Sequence, residues 1–255
     1  MPRMPGAFLE DLTWPEAEAR FKAGQPVIFP IGAAALEHGP HLPLNTGSLI
    51  ARELGRRIAA HMGVVVAPVI AFGYYPAFVD YPGTQHLSAE TFIRLVTELA
   101  GNVIDQGVQR IALVNAGVST EAPLEIAARR ILDERKVRVH VAGIRRLGRK
   151  TDKLLKQKMG GHADERETSV MMALAPSKVR IVRARKDYGH AADAPQTVFD
   201  APARLTADPA DPDWSATGAF GDPTLASAAK GAAILDAMAH DLLEGLHRIF
   251  PDHSH

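Results

Sequence analysis

The sequence predicts an α/β fold, with a mostly parallel sheet sandwiched between helices. Three observations support this prediction. Short apolar runs recur between residues 26 and 142, helix-length segments separate them, and the composition is ordinary, with 46% hydrophobic and 23% charged residues. Strands that alternate with helices are typical of βαβ units. Since 255 residues suffice for one large core, we expect a single domain over residues 1–255.

The predicted elements follow one another in a regular order. The strands are 26–31, 64–71, 110–115 and 137–142, and the helices between them are 48–62, 89–106 and 121–134. Parallel sheets of this kind bind ligands beyond the carboxyl ends of their strands. We therefore expect the loop around Glu37, residues 72–78 and residues 116–120 to lie at one edge of the sheet.

The C-terminal part of the chain predicts one long loop and one further helix. Residues 184–221 are polar and rich in Pro, Asp and Gly, and a loop of this length is commonly functional. We interpret it as a lid or a subunit contact. After it, Asp222 can cap a helix whose first turn holds Pro223, and apolar side chains recur at helical spacing as far as Leu246.

Charge and composition exclude several classes of function. Lys plus Arg and Asp plus Glu both number 29, so the formal net charge is zero, which argues against nucleic acid or an anionic membrane as the main partner. The chain has no cysteine, so a metal would be bound by nitrogen and oxygen. An apolar signal core and a membrane-length apolar run are both missing from the sequence, and we expect a cytoplasmic protein.

The first chemical motif follows the first predicted strand. A Gly-rich turn is succeeded by Glu37, His38 and His41, with Gly39 and Pro40 between the two histidines. Gly and Pro favour a loop here rather than a helix. A carboxylate and imidazoles at a strand end are the ligands that a divalent metal needs. Taken alone, the Glu-His pair is better explained as a surface pair. Its position after a strand, the nearby His41 and a second motif with His and Glu later in the chain favour a site instead.

A second motif, Gly-Gly-His-Ala-Asp-Glu-Arg-Glu-Thr-Ser, occupies residues 160–169. The apolar run after it predicts a helix, whose positive end would lie beside His162 and the carboxylates. His162 is the strongest functional candidate of the chain. The alternative is a histidine that caps the helix and is hydrogen-bonded to Glu165 or Glu167. Other histidines lack motif context and are interpreted as surface or packing residues: His61, His86, His140, His240 and His247.

These motifs resemble those of the creatininase (creatinine amidohydrolase) family. The phrase Gly-Pro-His-Leu-Pro-Leu at residues 39–44 matches the family's first motif, and His162 and Glu167 match its His-Ala and Glu-Thr-Ser phrase. Residues 75–84 and 217–223 extend the resemblance over most of the chain. It implies a creatininase-like fold, hydrolysis of C–N bonds in small cyclic or linear amides, and a divalent metal such as zinc, manganese or iron. It also implies a homo-oligomer, with a hexamer as the candidate.

The resemblance also implies roles for individual residues. The metal would polarise a carbonyl and lower the pKa of bound water, with Glu37 and His38 as ligands and Glu167 as a ligand or a supporting carboxylate. His162 would be the catalytic acid and base. Expected substrate contacts are His41, Tyr75 and Ser119. Without a Gly-x-Ser-x-Gly elbow, the hydroxyls of Ser119 and Thr120 are better suited to binding substrate or capping a helix than to nucleophilic attack.

The sequence also departs from the family pattern. Gly47 stands where the family has an Asp that bridges two metals, and Gly117 stands where it has a metal-binding His. Glu37 directly precedes His38, whereas better-known members have one residue between them. We therefore favour an enzyme with an altered, single-metal site built from Glu37, His38 and one of His162, Glu167 or His190. The alternative is an inactive binding or scaffold subunit. On this alignment, Gly47→Asp and Gly117→His are expected to raise metal affinity.

Overall fold

The computed structural model describes residues 4–190 and 204–251, and in this part of the chain five strands form one sheet. Its order is β1-β3-β2-β4-β5, and every neighbouring pair is parallel. The strands are β1 Ala7–Phe8, β2 Val27–Ile31, β3 Val65–Val66, β4 Ile111–Asn115 and β5 Val139–Gly143. The predicted fold class is confirmed.

Helices cover both faces of this sheet. They are α1 Trp14–Lys22, α2 Thr46–His61, α3 Ala89–Asp105, α4 Glu121–Arg135, α5 Glu165–Leu174 and α6 Ala228–Ile249. Val27 and Phe29 of β2 belong to the core under α3 and α4, whereas Ile28 belongs to the core under α2, α5 and α6. Because successive strand residues face opposite sides, an uninterrupted apolar strand is what a doubly covered sheet requires. Among the helices described, none is long and apolar enough to cross a membrane.

Three elements differ from the sequence prediction. The second predicted strand, 64–71, is reduced to Val65–Val66, because Pro68 has no N–H to contribute to a strand ladder. β1 and α1 were not predicted. A signal for α1 is nevertheless present, since Thr13 and Glu16 form a reciprocal capping box at its start.

The last helix also begins later than predicted. Asp222 caps only a three-residue 3-10 turn, Pro223–Leu225. The chain is then extended, and Ser227 caps α6 by accepting a hydrogen bond from the Lys230 amide. The amide of Ser227 in turn donates to Ser169 Oγ at 3.1 Å. This hydrogen bond to α5 positions Ser227 as the N-cap of α6. The capping signal at Asp222 is local and does not predict this long-range contact.

The carboxyl ends of β2 and β4 lie side by side and position the loops that follow them. Ile31 pairs with Asn115, and the amide of Ala116 donates to the carbonyl of Ile31 at 2.8 Å. The long predicted loop, 184–221, is described except for residues 191–203, which lie outside the described residues. Its described parts are joined by Asp187, which pairs with Gly221 and accepts hydrogen bonds from Ser215 and Thr217.

Candidate metal centre

The loop between β2 and α2 fixes His38 in one orientation. His38 is buried, and its Nδ1 lies 2.8 Å from the carbonyl oxygen of Leu36. A carbonyl only accepts hydrogen bonds, so Nδ1 is the donor, and in the neutral imidazole Nε2 carries the lone pair. Nε2 lies 3.5 Å from Oε1 of Glu167. A histidine that donates one nitrogen to a carbonyl and presents the other is typical of metal ligands.

The first turn of α5 supplies the carboxylate. Asp164 caps this helix by accepting a hydrogen bond from the Glu167 amide at 3.0 Å. Ala163, just before the cap, has the left-handed φ of 48°, and its amide donates to Oε2 of Glu167 at 2.8 Å. One oxygen of Glu167 is therefore held by the backbone, and the other faces His38.

His162 completes the group. Its Nε2 lies 2.8 Å from the carbonyl oxygen of Glu37 and 3.0 Å from Oε2 of the same residue. Its ring centroid is 4.8 Å from that of His38 and 4.1 Å from that of Phe78, which packs over it. Four residues singled out in the sequence, Glu37, His38, His162 and Glu167, thus lie together, although 125 positions separate the first from His162.

Three of these residues fit a divalent metal ion. Within the described residues, His38, His162 and Glu167 form a group whose ligand atoms all lie within 4.8 Å of one another. Two imidazoles and one carboxylate are a known ligand set of catalytic zinc, which leaves a fourth position for water or substrate.

Glu37 lies beside this group and not within it. Its carboxylate accepts hydrogen bonds from the Gly39 amide and from His162. Gly218 lies against this carboxylate, and a Cβ added there would collide with the carboxyl carbon. Gly218 also has a φ of +74°, which favours glycine. Glu37 is thus fixed next to His162 by its surroundings.

The charges of the site favour an ionised carboxylate. Burial alone would raise the pKa of Glu167, but the neighbouring His38 and His162 outweigh it and hold this pKa at about 2. Burial alone would lower the pKa of His162, but the hydrogen bond and charge of Glu37 and the charge of Glu167 raise it overall. Because a metal binds the neutral imidazole, protonation of His162 would compete with an ion.

The predicted substrate contacts are less accessible. His41 is fully buried under α5, where its Nε2 lies 2.8 Å from Thr168 Oγ1, and burial lowers its pKa to about 4. Tyr75 is also buried, against Ala33 and Leu36, and its hydroxyl has no hydrogen-bond partner in the described part of the chain. Neither side chain faces open solvent, so a substrate would reach them only if the neighbouring chain moved.

The loop after β4 is closed by its own side chains. Asn115 donates to the carbonyl of Gly117 at 2.6 Å and accepts from the Thr120 hydroxyl at 2.8 Å. Thr120 therefore does not cap α4 with its side chain, contrary to one of the two roles considered for it. Ser119, which is partly exposed, is the residue of this loop that stays available to a substrate.

Gly47 and Gly117, which the family resemblance aligns with ligand positions, both lie close to neighbouring atoms of the chain. Gly47 is buried in the first turn of α2, and a Cβ there would lie 2.9 Å from the amide nitrogen of Ala33. At Gly117 a Cβ would lie 3.2 Å from Thr120 Oγ1. His190, considered as a third ligand, instead packs on Trp214 with ring centroids 5.2 Å apart and is not part of the group.

Some residues of the site were not singled out in the sequence. Phe78, Ala163 and Gly218 shape the surroundings of His162, Glu167 and Glu37, respectively. Phe78 and Gly218 lie in phrases that extend the family resemblance, so a signal for them existed. Ala163 lies in the matched His-Ala phrase, but its left-handed conformation has no sequence signal, because alanine rarely adopts it.

The chain is similar to known proteins over most of its length. The family model described as "Creatininase: Creatinine amidohydrolase" matches residues 10–246. Creatinine amidohydrolase of Pseudomonas putida is 27% identical over 264 residues, covering 96% of this chain and 97% of its own length. Mycofactocin precursor peptide peptidase of Mycobacterium tuberculosis is 30% identical over 237 residues, with coverage of 88% and 86%.

A solved structure has the same fold. A creatininase mutant of the Zn-Zn type superposes with a TM-score of 0.79 at 25% identity, over 96% of this chain and 98% of that one. The similarity therefore extends over nearly the full length of both chains.

Proposed function

The chain belongs to the creatininase family, and from this premise we propose that it is a hydrolase that cleaves a C–N bond of an amide with the help of one divalent metal ion. Relatives are named for a small cyclic amide, creatinine, and for a peptide. The substrate class is accordingly an amide, from a small cyclic amide to a peptide.

One observation carries this proposal: the ligand atoms of His38, His162 and Glu167 converge. We assign these three residues as ligands, with zinc as the first candidate because of the ligand set and manganese and iron as alternatives. This assignment exchanges two roles that the family resemblance implies, since His162 becomes a ligand and Glu37 becomes the proton acceptor. It is supported by the exclusion of Glu37 from the converging group and by its contact of 3.0 Å with His162.

The chain's own residues then divide the chemistry between them. A bound ion would supply polarisation of the amide carbonyl and a lowered pKa of water. Glu37, held by the Gly39 amide and by His162, can accept a proton at its carboxylate and return it to the leaving nitrogen. Glu167, tied to the Ala163 amide, keeps one oxygen directed at the group. Phe78 packs on His162 and excludes water from that side.

Two measurements test the proposal. Both use purified protein that has not been exposed to a chelator. Elemental analysis should find about one divalent ion per chain. The same protein should hydrolyse at least one member of a panel that contains creatinine, formamides and short peptides. Two tightly bound ions would contradict the single-ion assignment. An ion without hydrolysis of any amide would contradict the enzyme assignment.

Glu37→Gln tests the exchanged roles. We expect this variant to keep its metal ion and to lose hydrolysis by about 100-fold or more, because an amide cannot accept the proton. His162→Ala is the comparison, and it should lose the ion. Calorimetric titration with zinc, alongside turnover, distinguishes the cases. If Glu37→Gln loses the ion and His162→Ala keeps it, Glu37 is the ligand and His162 the acid and base, as the resemblance implies.

A second candidate function is a binding or scaffold subunit without catalysis. Gly47 and Gly117, which lack ligand side chains at two family ligand positions, favour it. Protein that contains no metal, gains none on titration and hydrolyses no amide would support this candidate.

We also propose that the protein is a homo-oligomer of single-domain subunits, with a hexamer as the candidate. Phe72, whose side chain is 44% exposed, borders a largely apolar cavity of about 600 Å³ lined by α1 and α3, and such patches favour interfaces. Sedimentation velocity at micromolar concentration should give one species larger than the monomer. A monomer alone would contradict the proposal.

A further inference from the structure

Charge is segregated along this chain, although its formal net charge is zero. Residues 144–186 contain 13 Lys or Arg and four Asp or Glu, an excess of nine positive charges. The rest of the chain carries the compensating negative charge. A neutral total therefore does not describe the surface that a partner would meet.

Twelve of these 13 basic residues lie in two segments that flank α5, residues 145–158 before it and residues 178–186 after it. The other, Arg166, lies within α5 and pairs with Asp152. Arg145 pairs with Glu121, and Arg149 pairs with Asp152. The other basic side chains of these segments are exposed and have no ion pair within the described part of the chain: Arg146, Lys150, Lys153, Lys156, Lys158, Lys178, Arg180, Arg183, Arg185 and Lys186. We call these two segments the basic surface.

Exposed aliphatic side chains accompany these charges. Val182 is 81% exposed and Ile181 is 40% exposed, both in a 3-10 turn, Ile181–Arg183, between arginines. Leu154, between lysines of the other segment, is 37% exposed. Exposed turns that contact only water usually carry polar side chains. These two segments therefore offer a partner both positive charge and apolar surface.

The basic surface borders the candidate metal centre. The amide of Arg180 donates to the carbonyl of His41 at 2.8 Å. The amide of Lys158, four residues before His162, donates to the Tyr188 hydroxyl at 3.2 Å and so joins the chain that follows the second segment. The second segment is thus tied to the loop that carries His38, and the first is tied to Tyr188, two residues after the second segment ends.

We propose that the basic surface binds an acidic polypeptide segment that carries aliphatic side chains. Its charge and its exposed Ile181, Val182 and Leu154 complement such a segment. A small anion would use only a few of these ten basic side chains. Nucleic acid that binds as a single strand stacks its bases on aromatic side chains, and neither segment contains Phe, Tyr or Trp. The proposal concerns binding and does not depend on the proposed hydrolysis.

Fluorescence anisotropy with the full chain tests the proposal. The probe is a labelled peptide of repeated Glu-Leu-Glu units, and the comparison peptide has Lys in place of Glu. We expect the acidic peptide to bind at low salt and to be released at high salt, and the basic peptide not to bind. Arg183→Glu combined with Lys186→Glu should weaken binding by about tenfold or more. Val182→Ser should weaken it by about two- to fivefold.

A matched control separates this surface from charge in general. Arg129→Glu combined with Arg130→Glu changes two exposed arginines of α4, on the other face of the sheet, and should leave binding within about twofold. Equal weakening by both pairs would overturn the proposal, as would absence of binding at low salt. Tighter binding to vesicles of phosphatidylserine and phosphatidylcholine, or to a single-stranded oligonucleotide, would also overturn it and identify that class as the partner.

Discussion

Replacement of His38 by Ala is expected to abolish specific metal binding, with a loss of affinity of more than about 100-fold. His38 is one of three converging ligands, and changing even the hydrogen-bonding partners of a metal ligand typically costs 10- to 100-fold. The change also removes the nitrogen that lies 3.5 Å from Glu167. The two residues that are left, His162 and Glu167, do not make a zinc site by themselves.

Calorimetric titration of metal-free protein with zinc measures this effect, and thermal unfolding shows whether the variant is folded. His61→Ala is the matched control. His61 is exposed at the end of α2 and contacts the carbonyl of Arg57, so its loss should leave zinc affinity unchanged. Full binding of one ion by folded His38→Ala would show that the ion sits elsewhere, and the candidate metal centre would have to be abandoned.

Gly47→Asp is expected to destabilise the protein by about 1–3 kcal/mol, the usual cost of forcing atoms into a packed site. A Cβ at this position would lie 2.9 Å from the amide nitrogen of Ala33, and backbone atoms cannot move aside as a flexible side chain can. The carboxylate would also enter a buried turn. We therefore expect no gain in metal affinity, which reverses the expectation drawn from family alignment alone.

Urea denaturation gives the change in the free energy of unfolding, and zinc titration gives the affinity. Gly245→Asp is the control, because Gly245 also lies in a helix, α6, but has open space where its Cβ would be. It should change stability by less than about 1 kcal/mol. If Gly47→Asp is as stable as wild type and binds a second ion, the close approach of α2 to Ala33 is easily relieved and the two-metal arrangement is recoverable.

Family membership and the sheet are features that the sequence alone determined, and both predictions are confirmed. The physical reason is that both depend on residues that are close together in the sequence. A strand buried on both faces, such as Val27–Ile31, must be apolar at every position, and a motif such as residues 37–41 is contiguous. The start of α1 is also encoded locally, by the Thr13–Glu16 capping box.

The tertiary structure decided how the site is arranged. Glu37 and His38 are neighbours in sequence, yet one contacts His162 and the other Glu167. Gly218, more than a hundred residues away in the sequence, packs closely against the carboxylate of Glu37. No pattern of spacing encodes such a contact, because it arises from how separate segments pack. The same holds for Gly47, which alignment marks as a vacant ligand position and which packing shows to be filled by Ala33.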